Sequence, residues 1–385
     1  MNKTQWAKAA LLGLATLWST SCGSRTIRPA ITIVPSNAPG FDAIALGAAL
    51  TATDSGNANI HSIVIERHGK IIAELYRSGS DRTMMKRYGM GNPFAADIQF
   101  DAGTLHDVRS VSKSVTALLY GAVALEKILP PVETSVLSEY PELQALQNAE
   151  RNRITLAHLF TMSSGLDWKE WGKGFLTSDE TRLLWKAEPV RFVLNRPQSA
   201  EPGERFNYSG GNTAILADLL CKKTGKSLLE IVRTELFEPM GITEWQWATD
   251  SHGRALPHAG LRLTPRDMVK LGRLVLNKGR WRGKQLISQR WIEETTRQHI
   301  LSGIHIFSGS EENLGYGYQW WTGHSAWNNR SIPWSAAIGN GGQRIYVVPG
   351  LDMTVVVTAG DYGSAEIHRT IGKLFDTIVA SARAD

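Results

Sequence analysis

Segments with strand character stand near the two ends of this chain, with a long helical stretch between them, and that spacing limits the folds open to it. Near the start, His61 to Arg67 and Lys70 to Arg77 are β-rich and are joined by His68-Gly69, a hairpin signal. Strand signals return in Tyr316 to Trp321, Gln343 to Val348 and Met353 to Thr358, the last two separated by Pro349-Gly350. From Val115 to about Asp250 helical patterns dominate, broken at Pro130-Pro131, Pro141, Pro189, Pro197, Pro202-Gly203 and Pro239. Pairing of the early hairpin with the late strands predicts an α+β fold: one antiparallel sheet built from both chain ends and flanked by helices, with a mostly helical lobe inserted. The α/β lobe is expected at about 41–105 and 260–385, and the helical lobe at about 106–259. Phe41 to Leu50 and Ala365 to Ser381 read as the first and last helices. Gly79 to Gly103 has no clear period and is placed on one rim of a cleft.

Composition narrows the class of function. At 385 residues, 42% hydrophobic and 20% charged, the chain is an ordinary globular protein rather than a disordered one. The net charge of +6 is spread without a Lys/Arg block, since Lys222-Lys223 and Arg280 to Lys284 read as helix ends or turns, so no nucleic-acid partner is expected. Residues 1–22 differ: Lys3 and Lys8 precede an apolar run from Ala9 to Trp18, then Ser19, Thr20 and Ser21 before Cys22. That is an export signal, too short to span a bilayer comfortably. Cys22 resembles the lipidation site of bacterial lipoproteins, although Ser19 stands where such signals usually carry Leu, and plain export remains the alternative. The protein is therefore expected in the periplasm or lipid-anchored in the bacterial envelope, with no other membrane contact. Residues 23–40, with Pro29, Pro35, Pro39 and Gly40, read as a tether. Cys221, at the end of a helical pattern, reads as a small buried apolar residue, and no disulfide framework or CxxC pattern exists.

The chemistry is concentrated in His106 to Tyr120, HDVRSVSKSVTALLY, which places Ser110 and Lys113 three residues apart where a helix begins. The two share one face, and Val115, Leu118 and Leu119 recur at helical spacing, so the opposite face is predicted to be buried while the first turn stays at a cleft. A hydroxyl is a poor nucleophile until something takes its proton, and a lysine does so only where its surroundings hold it partly neutral. The helix start also offers a backbone N–H and a positive dipole end to a developing oxyanion. Alone, Ser-x-x-Lys is weak evidence, because two common residues at a fixed offset recur by chance on solvated helix turns.

Two further boxes accompany it: YSGGN at Tyr208 to Asn212 and GNGGQRIYVVP at Gly339 to Pro349. With SVSKSVTALL they resemble the serine hydrolases related to class C β-lactamases and penicillin-binding proteins, and the resemblance runs from about Ile60 onward through ITLAHLFTMSSGLDW, EPGERFNYSGGNTAILADLL and LRLTPRDMVKLGRLVLNKGRWRGKQLI. HDVRSVSKSV and SSGLDW bring it nearest the branch of 6-aminohexanoate-dimer hydrolases and related esterases. The resemblance implies a β-lactamase/transpeptidase-like fold, with Ser110 as the acylated nucleophile, Lys113 as its proton partner and Tyr208 as a second base. Both ionisable groups have ordinary pKa values near 10, so the pair is expected to share one proton in a dry, positive pocket and to titrate as a unit. The resemblance also implies an oxyanion hole from the backbone N–H groups of Ser110 and Gln343. Gly341 and Gly342 are read as positions where the lack of a Cβ lets substrate lie flat against the strand, with a hairpin or bulge glycine pair as the competing explanation.

Two departures bear on the substrate. The β-lactamase third box begins with a lysine that attracts the substrate carboxylate, where this chain has Asn340; the second box there ends in asparagine, where this chain has Gly210, with Asn207 and Asn212 nearby. Both favour a small ester or short amide over a β-lactam or D,D-peptide. Trp168, Trp171, Phe175 and Trp185 are candidates for an apolar acyl wall, and Trp320, Trp321, Trp327 and Trp334 share the ambiguity between pocket and core. His106, His158, His258 and His324 carry no metal spacing and read as structural or surface residues; no metal or cofactor is expected. GxSxG is absent, which removes the nucleophile-elbow hydrolases. The reading is a serine hydrolase acting by acyl transfer on a small molecule. Its rivals are a β-lactamase or D,D-peptidase, and a non-catalytic binding homologue, which would have no need of Ser110, Lys113 and Tyr208 together.

Overall fold

A computed structural model of the chain describes residues 31–33, 38–53, 57–170, 177–305 and 313–384. The export segment with Cys22, most of the tether, Trp171 and Phe175 lie outside the described residues. Among those described, nine strands form one antiparallel sheet, in the order Ile31–Ile33, Lys70–Tyr76, Ile60–Arg67, Met353–Ala359, Gln343–Val348, Arg330–Gly339, Trp321–Trp327, Gly315–Tyr316 and Ile300–Leu301. The two chain ends meet where Ile60–Arg67 pairs with Met353–Ala359, with Val64 opposite Val356. A hydrogen bond of 2.6 Å between the hydroxyls of Ser62 and Thr358 ties the same pair of strands. The early hairpin does join the late strands.

Both faces of this sheet are covered, which explains its near-continuous apolar runs. Ile63, Ile65, Tyr346, Val355 and Val357 point into a core shared with residues of the helices Ala43–Ala52 and Ala365–Ser381. Their neighbours Val64, Ile345, Val347 and Val356 point the other way, into a core shared with the helices Val111–Val123, Gly210–Thr224 and Pro265–Leu276. Gly272 lets the last of these helices lie close on the sheet: a Cβ there would stand 2.3 Å from Thr354 Cγ2.

Tyr316 to Trp321 is not one strand. It breaks after Tyr316 because Gln319 turns into the left-handed region (φ 61), with its N–H donating to Phe160 O at 3.1 Å, and pairing resumes at Trp321. The long hairpin Trp321–Trp327/Arg330–Gly339 had no counterpart in the sequence expectation. It turns on Asn328-Asn329, both left-handed (φ 46 and 59), and carries Pro333 inside a strand.

The helix after Ser110 also differs from expectation. It is buried along its whole length, not on one face, because it runs through the middle of the molecule. Its hydroxyl side chains act as cross-ties in place of water. Ser112 Oγ donates to Arg109 O at 2.6 Å and accepts from Leu261 N at 3.1 Å, Ser114 Oγ donates to Gln319 O at 2.6 Å, and Thr116 Oγ1 lies 3.0 Å from Pro257 O.

Candidate active site

Ser110 caps the central helix, and the residue before it is held in an unusual conformation. Arg109 is left-handed (φ 51), which costs free energy for a residue with a Cβ. Its side chain is fixed from several sides: Nη2 donates to Arg82 O at 2.8 Å and stands 3.7 Å from Asp107 Oδ2, and the guanidinium lies 4.2 Å from the Tyr362 ring centroid. The turn directs the N–H groups of Val111 and Ser112 back to Val108 O and Arg109 O. The Ser110 N–H has no acceptor among the described residues.

Lys113, one turn on, is completely buried. Its ammonium group donates to Ser110 Oγ at 3.0 Å, Glu170 Oε1 at 2.9 Å and His258 O at 3.1 Å, three acceptors for three protons. Tyr208, just before the Gly210–Thr224 helix, hydrogen-bonds to Ser110 through its hydroxyl, and its ring centroid lies 4.6 Å from Lys113 Nζ. The three residues singled out by the sequence are thus in mutual contact. Glu170 is a fourth, which the sequence reading missed. Its second oxygen accepts from Trp168 Nε1 at 2.7 Å and Gly210 N at 2.6 Å.

This carboxylate changes the electrostatics. Burial is the strongest single influence on Lys113 and pulls it down, but the charge and hydrogen bond of Glu170 together with the Tyr208 and Glu180 charges outweigh it and hold the amine above its ordinary value. Burial pushes Glu170 up, yet Lys113 and the Gly210 N–H leave it below the usual carboxylate range. Tyr208 is raised by burial despite the opposing Lys113 charge. The site is therefore a neutralised ion pair beside a neutral phenol, not the positive pocket with one shared proton expected from the sequence. Around it, burial and the Glu170 charge push Glu180 up to about 8. Burial and the Lys113 charge press His258 down to about 4.

A cleft of about 390 Å³ opens onto Ser110. Met84, Gly89 to Gly91 and Leu184 line it on one side, and Glu170, Glu180, His258, Arg109 and Asn340 supply its polar lining. The Gly79 to Gly103 region thus contributes a rim. Asn340 is exposed, with Oδ1 accepting from Gly363 N at 2.8 Å. Gln343 is not brought into the cleft: it is buried across the hairpin from Gly339, and its side-chain amide donates to Ala359 O. The strand end facing Ser110 is Gly339–Asn340, where a Cβ on Gly339 would stand 2.2 Å from Val108 O.

Gly341 and Gly342 are the hairpin glycines of the competing explanation. Both are left-handed (φ 85 and 104), and an added Cβ would strike Tyr362 at 2.4 Å or Ile371 at 2.7 Å, so tight packing behind the turn requires them rather than contact with substrate. Gly210 supports its close contact with Glu170, since a Cβ would lie 3.2 Å from Oε2. Asn207 Nδ2 donates to Leu166 O and Trp168 O, and Asn212 Oδ1 accepts from Ser164 Oγ, so neither replaces the missing side chain. Trp168 is a buried packing residue, whereas Trp185 is exposed and stacks on Tyr88 at 5.6 Å. His106 and His258 are buried, His158 caps a helix turn and His324 is exposed. No group of three or more His, Cys, Asp or Glu among the described residues is placed to hold a metal ion.

A serine at a helix start, bonded to a lysine and a tyrosine beside an antiparallel sheet, is the constellation of an acyl-transfer serine hydrolase. The family model described as Beta-lactamase matches residues 62–372, and the chain belongs to that family of serine hydrolases. The 6-aminohexanoate-dimer hydrolase of Paenarthrobacter ureafaciens is 24% identical over 315 residues, covering 77% of this chain and 71% of that protein. Among solved structures, a putative 6-aminohexanoate-dimer hydrolase from Bacillus anthracis matches with a TM-score of 0.63 at 20% identity, over 85% of this chain and 80% of that one. A family VIII carboxylesterase matches with a TM-score of 0.64 at 15% identity, over 88% and 98%. These two likenesses establish the β-lactamase/transpeptidase-like fold.

Proposed function

We propose that this protein hydrolyses small esters or short linear amides through an acyl-enzyme on Ser110. The observation that carries this is the Ser110 hydroxyl held between Lys113 Nζ at 3.0 Å and the Tyr208 hydroxyl. Attack by Ser110 Oγ on the substrate carbonyl generates an oxyanion, to be received by the Ser110 N–H at the helix start and by an N–H of the neighbouring Gly339–Asn340 edge. Lys113 and Tyr208 manage the proton. Water then releases the acyl group by the same path in reverse.

The cleft chemistry supports the choice of substrate. A β-lactam or D,D-peptide presents a carboxylate, and Asn340 offers it no cation, while Arg109 is committed to Arg82 O and the Tyr362 ring. With Glu170 paired to Lys113 and Glu180 protonated below about pH 8, the cleft lining among the described residues holds no cation free to receive that carboxylate, so uncharged substrates fit better. The decisive experiment is a panel of nitrophenyl esters, nitrocefin and linear amides with and without a terminal amine, with the adduct located by mass spectrometry. Turnover of nitrocefin alone, or an adduct away from Ser110, would refute the proposal. We further propose that the protein is exported and processed near Cys22, on the strength of Lys3, Lys8 and the apolar run. Recovery of the full-length N-terminus from the cytoplasm would refute that.

A further inference from the structure

We propose that Glu170 is a positioning residue of the acyl-transfer machinery: by holding Lys113 as an ammonium ion it makes the Tyr208 hydroxyl the route by which the Ser110 proton leaves. The inference rests on the reading of Ser110 as nucleophile and goes beyond it, because it assigns the proton path and a residue that the three sequence boxes do not contain.

The argument starts from donor and acceptor counts. Lys113 Nζ stands within hydrogen-bond reach of three oxygens, and the ionised Glu170 carboxylate 2.9 Å away holds it as an ammonium ion with one proton for each; its nitrogen then has no lone pair to offer Ser110, and the bond of 3.0 Å between them is a donation by lysine to the serine oxygen. The serine proton then points to its other neighbour, the Tyr208 oxygen. For lysine to become a base it would first have to pass a proton to Glu170, and the structure opposes that transfer. Glu170 accepts three hydrogen bonds, from Lys113, Trp168 Nε1 and Gly210 N, and the last comes from the first turn of a 15-residue helix, whose dipole favours a negative charge. Its peptide oxygen is fixed as well, accepting from Ser178 Oγ at 2.8 Å.

The other ionisable groups around the pair act in the same direction or stay neutral. Glu180, across the cleft, stays neutral below about pH 8, and above it its charge favours a charged Lys113. His258 is buried and neutral, and presents its carbonyl oxygen to Lys113. Tyr316 is a buried phenol kept protonated by its burial and by its neighbours Tyr208 and Glu170. Arg109 faces Glu180 and is tied to Arg82 O.

The step balances without a phenolate. As Ser110 Oγ bonds to the acyl carbon, its proton moves to the Tyr208 oxygen, and the proton already on Tyr208 moves to the departing oxygen or nitrogen as the scissile bond breaks. Lys113 keeps three protons throughout. Its charge, beside the Tyr208 ring and donating to Ser110 Oγ, favours the negative charge that builds on both oxygens during the transfer.

The test compares pH profiles of kcat/KM for a nitrophenyl ester in the wild type, Glu170→Gln and Glu170→Asp. Removing the carboxylate leaves a buried amine without its partner, so its titration moves down into the measurable range. Glu170→Gln is expected to lose at least about 100-fold at neutral pH and to change the shape of the profile between about pH 5.5 and 10. Glu170→Asp keeps a carboxylate and is expected to keep the wild-type shape at a lower rate. Glu180 titrates in all three proteins and is itself raised by the Glu170 charge, so the profiles are compared in a Glu180→Gln background, where a change of shape between them reports on Lys113. Glu170→Gln within about threefold of wild type at neutral pH, or reduced by one constant factor at every pH, would overturn the proposal. Should Glu170→Gln not fold, an altered profile in Glu170→Asp would overturn it equally. Absence of fluorophosphonate label on wild-type Ser110 would sink the nucleophile reading itself, before any variant is compared.

Discussion

Replacing Lys113 by methionine keeps most of the buried stem and removes the charge, which turns the Lys113–Glu170 contact into a measurable free energy. The two side chains are 1% and 3% exposed and their charges are 2.9 Å apart. At an effective dielectric constant of about 20, that separation corresponds to an attraction of about 6 kcal/mol. Desolvation of both groups opposes it, so the pair as a whole adds little, but breaking it from one side leaves a buried carboxylate with only Trp168 and Gly210 as partners. Loss of one partner from a buried pair costs about 3–5 kcal/mol. Lys113→Met is expected in that range, and Lys113→Met with Glu170→Gln is expected to be little worse than either single, giving a coupling of at least about 2 kcal/mol. Urea unfolding of the mature protein, followed by tryptophan fluorescence, measures all four species. The pH dependence is fixed by the two shifts. Glu170 titrates below its ordinary 4.5 in the folded state, so its share is present above about that pH and is lost as pH falls through the lower folded value. Lys113 titrates above its ordinary 10.5, so its share is intact below that pH and is lost only as pH rises through the higher folded value. The coupling is therefore constant across neutral pH and fades in acid. Singles that add to within about 0.5 kcal/mol of the double at neutral pH would refute an ionic pair and the proton path built on it.

Tyr208→Phe should lose about 10² to 10⁴ in kcat while its melting temperature moves little, since the ring stays and one hydroxyl is removed; steady-state kinetics with calorimetry checks both. Glu180 is raised to about 8, so the folded state keeps its proton while the unfolded chain releases it above the ordinary 4.5, and stability falls with pH across that window. Glu180→Gln should flatten that slope and gain about 1 kcal/mol at the top of the window, allowing for screening of its partly exposed carboxylate, as read by denaturation at several pH values. Gly342→Ala should cost about 3 kcal/mol, from a left-handed backbone (φ 104) and a Cβ placed 2.7 Å from Ile371, and should show as a lowered urea midpoint.

The frame of the molecule was legible where local chemistry and tertiary need agree. His68-Gly69 turns a hairpin, both residues left-handed, and the last helix runs Ala365–Ser381 as its periodicity predicts. Trp321–Trp327 and Arg330–Gly339 are hidden in the sequence because Gly323 and Pro333 speak against strands and outweigh the favourable turn signal of Asn328-Asn329 between Trp327 and Arg330. At the site, Ser110 and Lys113 are a local helical pair, but Tyr208 was found only through resemblance. Glu170 was invisible for a physical reason: between Lys169 and Trp171 it looks like one of a run of solvated charges, and its burial depends on contacts with Trp168, Gly210 and Lys113. The trace it left was Gly210-Gly211, two poor helix formers opening a helix. Gly210 admits the carboxylate, and a Cβ on Gly211 would stand 2.8 Å from the Trp168 ring.

The junction of Ile60–Arg67 with Met353–Ala359 also sets a clock on biosynthesis. Ser62 and Thr358, bonded across it, are 296 residues apart. At roughly 5–20 residues per second a ribosome needs about 15–60 s to make that span, during which the first hairpin has no central strand to dock on. The two cores that cover the sheet must wait for the same strands, so the nascent chain stays open until synthesis is almost finished. Under the export proposed above, this late closure would widen the interval in which a translocation machine can take hold of the unfolded chain. A shift of the closing strand to an earlier position by circular permutation would shorten that interval.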